Sequence, residues 1–197
     1  MEMKRGGSTS GGASGGASKD TRLSLALGLT VLGGLARLIP HPANFTPVGA
    51  LGLFAGARLG GWQAYGVPLA LMALTDPILG AIYGFPAYSF VTIAIYASFL
   101  INVAIGRRLR ARTNPAHLLA MVLLCSAQFF VLTNAAVWLF QGFYPHTAAG
   151  LAACFVAAIP FYGRTLAGDL LYATLLFGLH AWLSRAVLRP RPLTQET

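Results

Sequence analysis

The sequence predicts an all-α integral membrane protein, a bundle of six transmembrane helices, and three observations carry that class. Hydrophobic residues make up 56% of the chain and charged residues only 10%, where a soluble domain carries roughly 25% charged residues. Mean hydropathy is +0.65. The basic residues behind the net charge of +9 fall between apolar segments and form no stripe along a soluble face. The positive-inside rule explains that distribution; nucleic-acid binding does not.

A spanning helix needs about 20 mostly apolar residues, and the chain divides accordingly. Residues 1–20 are rich in Gly and Ser and read as a disordered cytoplasmic tail, with no cleavable leader after Lys4 and Arg5. The transmembrane domain covers 21–188 and a short cytoplasmic tail 189–197. The first span is 23–39, with Ala26, Thr30 and Gly34 four residues apart on a face suited to close helix contact. The second is 45–61, the third 62–84 and the fourth 87–105. A basic loop from 107 to 114 precedes the fifth span, about 117–140. The segment 147–160 is too short to span and reads as a re-entrant or interfacial helix, and 161–183 is the last span. Lys4, Arg5, Lys19, Arg22, the 107–112 cluster and the Arg185–Arg191 tail all fall on the cytoplasmic side if six helices cross. A seventh crossing would put the tail outside.

Between the first two spans lies RLIPHPANFTPVGALGLFAGARLGG, residues 37–61. Pro40, Pro42 and Pro47 forbid a continuous helix there. Polar, non-helical backbone at membrane depth needs the shelter of protein or of a wet cavity. The stretch is therefore a candidate binding or gating element, or else a rigid extramembrane loop. The topology also puts Arg37, Asp76, Asn134, Arg164 and Asp169 in the outer halves of their helices.

Asp76 sits inside the third helix beside Pro77, where a carboxylate costs a few kcal/mol or more unless paired or wet. It either meets a cationic or donor-rich ligand or forms an ion pair with Arg37 or Arg164. Asp169 shares a face of the last helix with Tyr162, Thr165 and Tyr172. Asn134, Trp138 and Gln141 share a face of the fifth; Trp138 either stacks on a ligand or belongs to the interfacial aromatic belt. Asn44 and Thr46 point to one side of an extended segment, as a lid, or else cap the second helix ahead of Pro47. The expected ligand site is thus His41, Asn44, Thr46, Asp76, Asn134, Trp138 and Asp169. Cys125 and Cys154 read as buried small hydrophobes. His41, His117, His146 and His180 lack metal-ligand spacing, so no metal or cofactor is expected. Nucleophile-elbow, P-loop and dinucleotide motifs are missing from the sequence, and nothing in it argues for catalysis.

The opening stretch, TDPILG, FFVLTNAAVW and YPHTAAGLAACFVAAIPFYGRTLAGDLLYATLLFG together resemble an uncharacterised bacterial family of multi-spanning membrane proteins. That family is similar in size and helix layout to the substrate-binding S components of energy-coupling-factor vitamin transporters. The resemblance implies a small-molecule binder of the bacterial cytoplasmic membrane, the substrate-binding subunit of a vitamin or metal importer. It would dock on a transmembrane coupling protein driven by ATPase subunits, using the Ala26, Thr30 and Gly34 face. Two other classes compete: a non-catalytic assembly subunit whose polar residues hold helices together, and a membrane enzyme using Asp76 and Asp169 as an acid–base pair.

Overall fold

An 11-residue helix buried on every side holds the centre of the molecule. The computed structural model describes residues 11–109 and 114–187. They form six helices: α1 (Gly11–Ala36), α2 (Val48–Arg58), α3 (Gln63–Tyr83), α4 (Phe90–Arg108), α5 (Pro115–Phe140) and α6 (Ala148–Val187). Every residue of α2 from Ala50 to Ala57 is buried, and α2 touches all five other helices. A helix apolar all round belongs in a core. Its small residues allow close crossings: a Cβ on Gly56 would run into the Val103 carbonyl of α4, and one on Gly106 into the Leu53 carbonyl. Phe54 packs edgewise on Phe177 of α6 at 5.2 Å.

The longer helices surround it. α3, α4, α5 and α6 are each long and apolar enough to cross a membrane, and all described residues outside the helices are turns or loops without strands. α2 is too short, since 11 residues reach only about 16 Å. The expected second span, 45–61, is therefore a short non-helical entry followed by this half-length helix, which starts from its N-cap at Pro47.

Three other expectations change. The helix of α1 begins at Gly11, so residues 11–20, expected to be disordered, extend the first helix; residues 1–10, the loop residues 110–113 and the tail 188–197 lie outside the described residues. The re-entrant helix expected over 147–160 is not separate: α6 runs unbroken for 40 residues with Pro160 inside it, about 60 Å in length. Its Ala-rich first half favours helix, and α5 gives it a continuous wall, with Phe155 on Phe130 and the Cys154 thiol donating to the Asn134 carbonyl. Finally, Ala26 and Thr30 are fully buried and Gly34 sits against Leu71 of α3. The face expected to dock a partner is packed inside this chain instead.

Polar contacts fix the remaining helices. Ser89 and Thr92 form a capping box at the start of α4, and the Asn114 side chain accepts from His117 N–H at the start of α5. Gln128 of α5 donates to both Asn102 and the Ser98 carbonyl of α4. In α3, Pro77 has no N–H for the Ala73 carbonyl four residues back; the Tyr88 hydroxyl donates to that carbonyl at 2.9 Å. Both cysteines are buried and free. At the end of the bundle where α2 finishes, Arg58 lies over Phe177 and Arg107 over Tyr65. The acidic residues Asp76 and Asp169 gather toward the other end.

Candidate functional site

The proline-rich segment forms one wall of a cavity. After α1, the Leu38 and Ile39 amides close its last turn on Leu35 and Ala36. A turn then joins the Phe45 N–H to the Pro42 carbonyl at 3.0 Å. Asn44, inside this turn, has φ of +66°, a left-handed conformation that Asn tolerates better than most residues. The turn lays Phe45 against α6: its backbone approaches Gly168, where a Cβ would be tight, and its ring meets Tyr172 at 5.9 Å. The chain thus enters the bundle and starts α2 inside it.

Starting a helix inside protein leaves backbone N–H groups in need of acceptors. Pro47 supplies no side-chain cap, so of the two readings of Asn44 and Thr46, lid or cap, the cap on α2 does not hold. The acceptor comes from another helix. Asp169 of α6 takes the Ala50 N–H on Oδ1 at 3.1 Å and the Ser126 hydroxyl on Oδ2 at 2.6 Å. Gly49 makes the approach possible, because a Cβ there would collide with the carboxylate. The negative charge also meets the positive end of the α2 dipole.

Asp76 is held differently. Its Oδ1 pairs with Arg37 Nη2 at 2.7 Å, which decides between the two arginines weighed as partners, and its Oδ2 accepts from the Tyr96 hydroxyl at 2.6 Å. Arg37 Nη1 donates to Thr75 at 2.9 Å. The Arg37 Nε is buried with no acceptor. Arg164, the other candidate, is exposed.

Both carboxylates line one cavity of about 750 Å³. His41, Asn44 and Thr46 border it from the proline-rich segment, Asp76 from α3, Thr92 from α4, and Thr165 and Asp169 from α6. The turn from Tyr83 to Ser89 and the end of α5 at Gln141 complete its rim. His41 is steadied by Nδ1 donating to the Ile39 carbonyl at 2.6 Å.

Five of the seven expected site residues therefore meet at this cavity; Asn134 and Trp138 do not. Asn134 Nδ2 donates to the Phe130 carbonyl of its own helix at 2.7 Å. Trp138 Nε1 donates to the Pro145 carbonyl at 3.0 Å, and its ring meets His146 edgewise. Both residues serve the α5–α6 hairpin. Of that expected trio only Gln141, one turn further on, reaches the rim. Ser126 and Tyr96, which hold the two carboxylates, had no signal in the sequence beyond a hydroxyl in an apolar helix.

No curated protein and no solved structure matches the chain. A family model matches residues 17–192, nearly the whole sequence, and its description is a family of unknown function, DUF6580. This chain, with four helices long and apolar enough to cross a membrane among its described residues, belongs to that family.

Proposed function

We propose that the chain is the substrate-binding subunit of a small-molecule importer in the bacterial cytoplasmic membrane, similar in role to the S components of energy-coupling-factor transporters. The cavity carries this reading. At about 750 Å³ it falls within the 300–1,000 Å³ usual for small-molecule sites, and it is lined by apolar walls with a few placed polar groups. In the topology that accompanies the reading, the proline-rich segment and α2 together make the second of six crossings. Both termini are cytoplasmic and the cavity faces outward. Lys19, Arg22, Arg58, Arg107, Arg108 and Arg185 then lie near the inner surface, as the positive-inside rule asks. Energy would come from a coupling membrane protein and its ATPases. Because Ala26, Thr30 and Gly34 are buried, that partner docks on another surface.

The test is native mass spectrometry on full-length protein in lipid nanodiscs. A small molecule should leave the wild type on activation and be missing from Thr165→Trp, whose indole takes up part of the cavity, while the two proteins melt alike. Equal release from both, or none from either, defeats the reading. Reporter fusions after Pro86 should read outside and after Asn114 inside.

A further inference from the structure

Taking the cavity as a ligand site, we infer that its ligand is a small organic cation, an ammonium or amidinium group on a largely apolar body, with the positive charge set against Asp169. The charges around the cavity lead there. Arg37 and Asp76 neutralise each other at 2.7 Å. Asp169 is 3% exposed and, among the described residues, has no ion-pair partner. Its two bonds come from an amide and a hydroxyl, and a carboxylate offers about four lone-pair positions. Two acceptor positions remain on a group that borders the cavity.

The α2 dipole offsets only part of the charge, since a helix N-terminus is equivalent to roughly half a unit. The two helix starts that border the cavity are also already engaged. α2 donates to Asp169 itself, and the α4 start is closed by the Ser89–Thr92 capping box. An anionic ligand would therefore meet two engaged helix starts and an uncompensated carboxylate. Val48, Met72, Leu79, Val91, Ile95 and Phe129 give the remaining wall its apolar character, which suits the body of the ligand and excludes a fully hydrated ion.

Three indole probes of one shape and different charge test this on wild-type protein in nanodiscs: tryptamine, tryptophol and indole-3-propionate, each measured by equilibrium dialysis. Tryptamine should bind about tenfold tighter than tryptophol, the difference expected where a charge-assisted bond replaces a neutral one. Indole-3-propionate should bind least. In Asp169→Asn the preference for the amine should fall below about twofold with tryptophol affinity unchanged, whereas Asp76→Asn should leave an amine preference. Equal binding of amine and alcohol, tighter binding of the acid, or no binding of any probe overturns the inference. If the alcohol or the acid wins and Thr165→Trp blocks it, the ligand class fails while the ligand site stands. If Thr165→Trp leaves probe binding intact, the site itself fails. The wild-type charge series decides the matter even if a variant does not fold.

Discussion

Asp76 and Asp169 stand on different walls of one cavity, and each answers the cost of a charge at membrane depth with different chemistry. On the α3 side, Asp76 has a full counter-charge in Arg37 and a phenol from Tyr96. On the α6 side, Asp169 has only dipoles, the Ala50 amide and the Ser126 hydroxyl. The first arrangement is electrically closed: removing either partner strands the other. The second is satisfied in hydrogen bonds yet open in charge. One wall of the cavity is thus closed in charge and the other open, which is what the proposed ligand site rests on.

The largest effect should come from breaking the closed side. Arg37→Met leaves Asp76 buried without its cation and should cost about 3–5 kcal/mol, read as a large drop in melting temperature. Adding Asp76→Leu should recover most of it, because a buried ion pair is often replaceable by apolar side chains. If the double variant melts no higher than the single, Arg37 has a role apart from Asp76.

Next comes the crowding that lets Asp169 reach α2. Gly49→Ala places a methyl against the carboxylate and should cost about 1–3 kcal/mol. Asp169→Ala alone should cost about 0.5–2 kcal/mol, the range for losing a helix cap. The two losses should be less than additive in the double variant, since both act on one bond; strict additivity would show that Gly49 matters for another reason.

Asp169→Asn should be milder still for stability. An amide keeps one acceptor for Ala50, and Ser126 can accept where it formerly donated, so the melting temperature should stay within a few degrees while discrimination by charge disappears. A large destabilisation here would mean that the charge itself, through the α2 dipole, holds the fold. Smallest of all is Asn134→Ala, which removes only a bond within its own helix: ligand release in native mass spectrometry should match the wild type, and a loss would return Asn134 to the site.

Local rules made much of this legible in the sequence. Three prolines within residues 40–47 fixed the non-helical entry to α2, and a carboxylate beside a proline in an apolar helix pointed to Asp76. Partner choice was harder to read. Asp169 was visible as a charge on a polar helix face, but its cap on α2 joins residues 119 positions apart, and no local pattern encodes that. Asn134 and Trp138 show a related limit: helical spacing places residues on a common face without saying which neighbour that face meets. The small residues at 26, 30 and 34 fit any close helix contact, and the contact proved to be within the chain. The segment 147–160 is too short to span by itself and reads as a separate helix, although apolar surroundings and a flanking helix let α6 pass through Pro160.

The bond from Tyr88 to the Ala73 carbonyl ties the segment at the cavity rim to α3 on the far side of Pro77. Pro77 has no N–H to tie the last turns of α3 to the Ala73 carbonyl, and the rim residues Tyr83, Phe85 and Ala87 follow from those turns. One phenol from beyond the end of α3 makes that tie instead. Tyr88→Phe removes the tie at a cost of about 1 kcal/mol and leaves every helix intact. If the cavity holds a ligand as proposed, such a variant should release it faster with little change in melting temperature; equal release rates would show that this tie does not govern exchange.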